Sequence, residues 1–327
     1  MSAWLQQLWY GRDRAPFWLR PLAALYGALA AKRRRQYRQG DKTVWQAPVP
    51  VVVVGNISVG GTGKTPLTQA LCTWLVEQGW RPGIVSRGYG GRSDHYPLRV
   101  EEHTAASACG DEPLLLAQTT GCPVVVDPDR ARAARHLLAN TDCNLILSDD
   151  GLQHYALGRD VEIAVVDGER GLGNGALMPA GPLREPASRL DEVDLVVING
   201  GDWMHPGAHR MTLLPGPVRR LDGTEADISP GPVHGLAGIG NPQRFFRTLH
   251  QLGYQPQEHP LPDHHQIRAE DLEFGDPLPL IMTAKDAVKC RAFASDNRYY
   301  LPVNAELPAQ FFQQLAARLR AVADKGC

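Results

Sequence analysis

Val49-Pro-Val-Val-Val-Val-Gly55-Asn-Ile-Ser58-Val-Gly-Gly-Thr-Gly-Lys-Thr-Pro66 is the stretch whose reading decides the fold. Its β-branched run reads as a buried strand. The glycine-rich turn ends in Gly63-Lys64-Thr65 and opens a helix expected over 66–77, the strand–loop–helix order of a phosphate-binding loop. Ser58, Val59, Gly60, Gly61, Thr62, Gly63, Lys64 and Thr65 are the candidate nucleotide-binding residues. Glycines let the backbone wrap an anion with its N–H groups inward, and the helix N-terminus adds partial positive charge. Lys64 would reach the β- and γ-phosphates, and the Thr65 hydroxyl would ligate Mg2+. The general pattern begins with glycine where this chain has Ser58. A tight strand-to-helix turn explains the glycines, but not the lysine and threonine.

Working outward, short apolar runs alternate with helical patterns. Strands are expected at Pro82–Ser86, 123–127, 144–150, Val161–Asp167 and 193–198, with helices over 111–119 and 128–139. Near-continuous apolar strands alternating with helices argue for a parallel sheet covered on both faces, of the P-loop NTPase type. Ligands then sit beyond the carboxyl ends of the strands, where the glycine-rich loop, Asp149 and Asp167 all fall. Domains are expected at 41–215 and, after a Pro- and Gly-rich linker at 216–232, at 233–327 as a smaller C-terminal α/β domain. That second unit is expected to hold strands at 233–239 and 278–283 and helices over 242–252 and 308–323.

With 327 residues the chain can bury two cores, and a net charge of −1 gives no argument for a nucleic-acid partner. No protein partner is expected. The six cysteines show no paired ligand spacing and read as free thiols. Residues 1–40 differ from the rest. Trp4, Trp9, Phe17, Trp18, Leu22, Leu25 and Leu29 interleave with Arg12, Arg14 and Arg20 and lead into Lys32-Arg-Arg-Arg35. The apolar stretch over 15–31 is broken by Arg20 and Pro21, whereas a spanning helix wants about 20 apolar residues. An amphipathic helix lying in the headgroup region is expected, its basic block facing anionic lipid. The plainer alternative is a helix packed on the domain with a solvated charge run.

Asp149-Asp150 close an apolar strand, where a carboxylate of a P-loop enzyme holds Mg2+. Asp-Asp-Gly is also ordinary turn chemistry. Asp111 reads alone as a helix cap, with Pro113 in the first turn. His264, in Leu261-Pro-Asp-His-His265, reads alone as part of a polar loop, although an imidazole beside a carboxylate makes a general base. Arg87, Arg130 and Arg184 are candidate phosphate partners, each otherwise a surface charge. Roles for Gln153 and His154 are not specified.

Several segments together resemble one family. They are Gly55–Pro66, Ser86-Arg-Gly-Tyr-Gly90, Gly110-Asp-Glu-Pro113, Asp149-Asp-Gly-Leu-Gln-His154, Arg159-Asp160, Gly173-Asn-Gly175, Pro179-Ala-Gly-Pro-Leu-Arg-Glu185, Gly238-Ile-Gly-Asn-Pro242, Asp263-His264 and Thr283-Ala-Lys-Asp286. In this order the chain resembles the tetraacyldisaccharide 4'-kinases of lipid A biosynthesis, which share Ser58. The resemblance implies ATP-dependent phosphorylation of the 4'-hydroxyl of an acylated glucosamine disaccharide 1-phosphate, giving lipid IVA. It implies Mg2+, peripheral contact with the membrane, and a place on the cytoplasmic face of the bacterial inner membrane. Carried over, Asp111 and His264 form a dyad that activates the acceptor hydroxyl, and Asp149 and Asp150 bind metal. Thr283–Asp286 would lie at the nucleotide or between domains. Two rival readings are a P-loop kinase or ligase acting on a soluble metabolite, and a nucleotide switch that needs no acceptor base.

Overall fold

The computed structural model describes residues 3–11 and 15–323. Arg12, Arg14 and Cys327 lie outside the described residues. Strand β1 is Val51–Gly55, followed by β2 Pro82–Ser86, β3 Leu98–Val100, β4 Val124–Val126, β5 Leu145–Asp149, β6 Val161–Asp167, β7 Leu195–Asn199, β8 His209–Pro215, β9 Arg219–Arg220, β10 Pro232–Ala237, β11 Gln255–Pro260, β12 Leu280–Thr283, β13 Arg298–Leu301 and β14 Val303–Glu306. The α-helices are α1 Ala3–Tyr10, α2 Arg20–Arg38, α3 Lys64–Glu77, α4 Ala106–Cys109, α5 Asp111–Thr120, α6 Arg130–Asn140, α7 Pro242–Gln251, α8 Ala284–Cys290 and α9 Ala309–Ala323.

Nine strands form one sheet in the order β14-β8-β7-β6-β1-β5-β2-β4-β3. Its centre is parallel, and the two edge strands β3 and β14 run antiparallel to their neighbours. The valines of β1 show why it is central. Val52 and Val54 join one core with Leu67, Leu71 and Leu75 of α3, while Val51 and Val53 join the opposite core with Ala133, Ala134 and Leu137 of α6. A strand buried on both faces cannot alternate with polar residues, and each such side chain contributes roughly 1.5–3 kcal/mol of burial. Five further strands form a second sheet, β11-β10-β12-β13-β9.

The boundary expected after residue 232 differs from the observed course of the chain at both ends. Within the expected linker, Arg219 and Arg220 pair with Tyr300 and Tyr299 and edge the second sheet. After Leu301 the chain leaves that sheet and returns to the first, where β14 pairs with β8. The reason is the apolar stripe of α9. Phe311, Leu315 and Leu319 repeat every four residues and are buried in the core shared with Val161, Ile163 and Leu195.

The N-terminal helices pack on the first sheet's loops. Leu8, Trp9, Leu19 and Ala23 bury themselves around Ala180, whereas Trp4, Phe17, Trp18, Leu22, Leu25 and Leu29 stay exposed. Among the described residues no helix is long and apolar enough to cross a membrane.

Candidate active site

The loop after β1 takes the expected turn. Gly60 and Gly63 have φ of 116° and 96°, values that side chains disfavour. Ser58 pairs in antiparallel fashion with Leu183 and keeps a negative φ, so that position needs no glycine. The neighbouring Val59 N–H donates to the Pro182 carbonyl at 2.9 Å. From the other side, the Asn199 amide at the end of β7 donates to the Thr62 carbonyl at 3.0 Å. Helix α3 starts at Lys64, two residues before the expected start, with Gly63 as its cap. Lys64 and Thr65 therefore lie in the first turn, where free N–H groups favour an anion.

The two adjacent carboxylates have different surroundings. Asp149 ends β5 fully buried; its Oδ2 accepts from Ser86 Oγ at 3.4 Å and its Oδ1 has no hydrogen-bond partner. Burial, together with the charges of Glu112 and Asp150, pushes its carboxyl above the usual range. Asp150 turns away with φ of 47° and lies 3.5 Å from Lys64 Nζ and 3.3 Å from Arg184 Nη1. Burial opposes its charge, but Lys64 and Arg184 outweigh that and hold the carboxyl well below the usual carboxylate range. Arg130 is buried and donates to the Asp127 and Asp149 carbonyls, tying α6 to the strand ends. Burial pulls it down to about 10 against the nearby acids. Arg87 is exposed. Gln153 donates to Asn56 O at 3.0 Å and to Glu185 Oε1 at 2.6 Å, bracing the loop. His154 is held neutral, pushed down to about 3 by burial and Arg130.

A divalent cation finds a partial donor set here. The unpartnered Asp149 Oδ1 is an acceptor in need of a cation or water. Among the described residues no group of three or more His, Cys, Asp or Glu could hold a metal ion. That donor set fits Mg2+ shared with a nucleotide, because Mg2+ keeps several waters and takes one or two carboxylates plus phosphate oxygens.

The second sheet brings in the remaining candidates. Asp111 is the first residue of α5, with Gly110 preceding it as the cap, so the helix-cap reading of Asp111 is replaced. His264, in the loop after β11, places Nδ1 3.0 Å and 3.1 Å from the two Asp111 oxygens. Its φ of 62° is a strained value, costing of order 1–3 kcal/mol and persisting only where the surroundings impose it. The Tyr89 ring lies 4.9 Å from the imidazole. For His264, burial disfavours the imidazolium, but the Asp111 hydrogen bond outweighs it and the histidine is raised above its ordinary value. For Asp111, burial opposes ionisation, and the His264 hydrogen bond with Lys285 and Lys289 overcomes it and lowers the carboxyl.

Thr283–Asp286 sits between the sheets. Asp286 accepts from Gly238 N at 2.8 Å and from Thr283 Oγ1 at 2.6 Å, and Lys285 reaches across to Glu112 Oε1 at 2.9 Å. A cleft of about 1020 Å³ separates the sheets, lined by Gly61–Thr65, Glu112, Asp167, Asn199, Arg244 and Lys285. A smaller one of about 630 Å³ is lined by Tyr89, Asp111, His264 and Lys289. The structure thus brings the phosphate loop and Asp150 together, and Asp111 together with His264, with Glu112 and Lys285 in between. The contributions of Asn199, Tyr89, Lys289 and the Pro182 carbonyl were not anticipated. An asparagine at a strand end and a backbone oxygen leave no signal in sequence.

A family model described as tetraacyldisaccharide-1-P 4'-kinase matches residues 15–320. A tetraacyldisaccharide 4'-kinase of Azotobacter vinelandii is 50% identical over 334 residues, covering 97% of this chain and 98% of the relative. That of Alkalilimnicola ehrlichii is 53% identical over 322 residues, covering 94% of each. A crystal structure of LpxK from Aquifex aeolicus in complex with ATP matches with a TM-score of 0.77 at 27% identity, covering 92% of this chain and 98% of that one. With its fold, its phosphate loop and these matches in agreement, the chain belongs to the tetraacyldisaccharide-1-phosphate 4'-kinase family.

Proposed function

We propose that this protein transfers the γ-phosphoryl group of ATP to the 4'-hydroxyl of a tetraacylated glucosamine disaccharide 1-phosphate, giving lipid IVA. The observation that carries the reading is one cleft bounded by the Gly61–Thr65 loop and by Glu112 and Lys285, the immediate neighbours of a part-buried Asp111–His264 pair. Phosphoryl transfer is mostly positioning and charge stabilisation. The loop amides and Lys64 bind the phosphates. Asp150 holds Lys64 in place before nucleotide arrives, across 3.5 Å. Thr65, Asp149 and Asp150 are the residues that would hold Mg2+, which when bound neutralises charge on the β and γ oxygens. With Nδ1 bonded to Asp111, His264 presents Nε2 to accept the proton of the sugar hydroxyl. Asp111 orients the ring and stabilises the imidazolium that results.

The exposed apolar side chains of α1, α2 and the turn between them suit peripheral contact with a bilayer, where an acylated acceptor resides. ATP supply puts that contact on the cytoplasmic face of the inner membrane. Incubation with γ-labelled ATP, Mg2+ and an acylated disaccharide 1-phosphate tests the reading. Label should appear in the glycolipid; label found only in inorganic phosphate would overturn it.

A further inference from the structure

Lys285 has no role in the mechanism above, yet it is the cation closest to the proposed base. Its ammonium lies 3.4 Å from His264 Nε2, 2.9 Å from Glu112 Oε1 and 3.1 Å from Asp263 Oδ1. An ammonium carries only donors, so Nε2 beside it must offer its lone pair. The other ring nitrogen faces the Asp111 carboxylate, which only accepts, so Nδ1 must carry the proton. The two contacts select the same tautomer from opposite sides of the ring.

We infer that Lys285 is a positioning residue that fixes the His264 ring with its lone pair on Nε2 and opposes protonation at that atom. The inference rests on the proposal that His264 is the base. Asp111 by itself favours the imidazolium, which is useless for accepting a proton. Lys285 counters this directly at the atom that would be protonated. Charged groups face the ring from each packed element: Asp111 from α5, Lys285 from α8, and Asp263 from its own loop at 3.7 Å. Lys289 adds a second cation, 3.9 Å from Asp111, and the Tyr89 ring meets the imidazole in a T-shaped contact. Glu112 and Asp263 hold the ammonium in its place, one from each side of the domain junction. As the acceptor hydroxyl takes the Nε2 lone pair, Lys285 stays on these carboxylates and leaves a cation beside the oxygen that becomes nucleophilic.

The test uses the full-length protein with Lys285→Met and Lys285→Arg. Nitrogen-15 NMR of the histidine ring needs no substrate and reads the tautomer and titration midpoint of His264 directly. In the wild type Nδ1 should carry the proton. In Lys285→Met the His264 midpoint should move to higher pH, and Lys285→Arg should restore it. In kinetics, Lys285→Met should lose several-fold more kcat/KM on the acid side than on the alkaline side. A midpoint unchanged in Lys285→Met, or an equal loss at every pH, would overturn the inference and leave Lys285 as an ion-pair tie between domains. Should Lys285→Met fail to fold, a wild-type spectrum with the proton on Nε2 would refute it. Failure of the functional reading looks different: wild-type protein would then transfer no phosphate to glycolipid, whatever the NMR shows.

Discussion

At the scale of single residues, the site pairs a buried anion-binding ammonium with a half-buried proton acceptor. Lys64 is the cation of the phosphate loop, and Lys64→Ala should lower kcat/KM by about 100-fold or more, as measured with labelled ATP. His264→Ala and Asp111→Ala should each cost roughly 10²–10⁴-fold in kcat. If the two act as one unit, the double variant loses little beyond the worse single, and additive losses would reject the pair. The sign of the pH dependence follows from the same contact. Asp111 raises His264 above its ordinary value, and the base works only when neutral. Activity should therefore climb with pH through a midpoint above about 6.5. Asp111→Asn removes the group that favours the imidazolium, so the midpoint of the pH–rate profile should fall; a rise would count against the assignment.

At the scale of elements, the N-terminal helices do more than contact a bilayer. Tyr10 Oη donates to the Val59 carbonyl of the phosphate loop at 3.1 Å, and Tyr26 Oη donates to the Arg184 carbonyl at 3.1 Å. Trp9 Nε1 donates to Pro179 O at 3.0 Å. The buried and exposed faces of this segment can be tested separately. Replacing Trp18, Leu22 and Leu25 together by Glu should abolish sedimentation with anionic vesicles. Melting should stay within about 0.5 kcal/mol per site, because these side chains are exposed. Removing residues 1–38 should lower the melting temperature as well, since it strips Leu8, Trp9, Leu19 and Ala23 from their core. Equal vesicle binding by the triple variant would reject the membrane face. Legibility of the elements followed their burial. The valines of β1 and the alternation of apolar strands with helices announce themselves. Strand β11, Gln-Pro-Gln-Glu-His-Pro, does not: it is an exposed edge, extended only because β10 supplies its hydrogen-bond partners.

At the scale of the whole molecule, the two sheets meet at two places, the α5–α8 junction beside the Asp111–His264 pair and a set of contacts that bear on the phosphate loop. Arg170 donates to the Gly240 carbonyl at 2.6 Å, Arg244 donates to Asn199 O at 3.2 Å, and Arg247 pairs with Glu169 at 2.5 Å. At Gly240 an added Cβ would lie 2.6 Å from the Gly61 nitrogen, and backbone cannot yield as a side chain would. Gly240→Ala should hold the sheets apart. Small-angle scattering should show a larger radius, with kcat reduced well beyond any change in melting temperature. An unchanged radius with normal turnover would show that the close approach is not needed.

The chain by itself determined the parallel core and the phosphate loop, because both follow from neighbours along the backbone: β-branched runs, glycines at a turn, lysine and threonine at a helix start. It also carried enough ordered motifs to place the family. Only the tertiary structure decided that Asp111 meets His264, that Lys285 stands against Nε2, and that the last strand and helix return to the first sheet. Those contacts join residues far apart in sequence. They depend on which sheet each strand enters and on which core buries the stripe of Phe311, Leu315 and Leu319, a choice made by the summed burial of the folded chain and not by any local pattern.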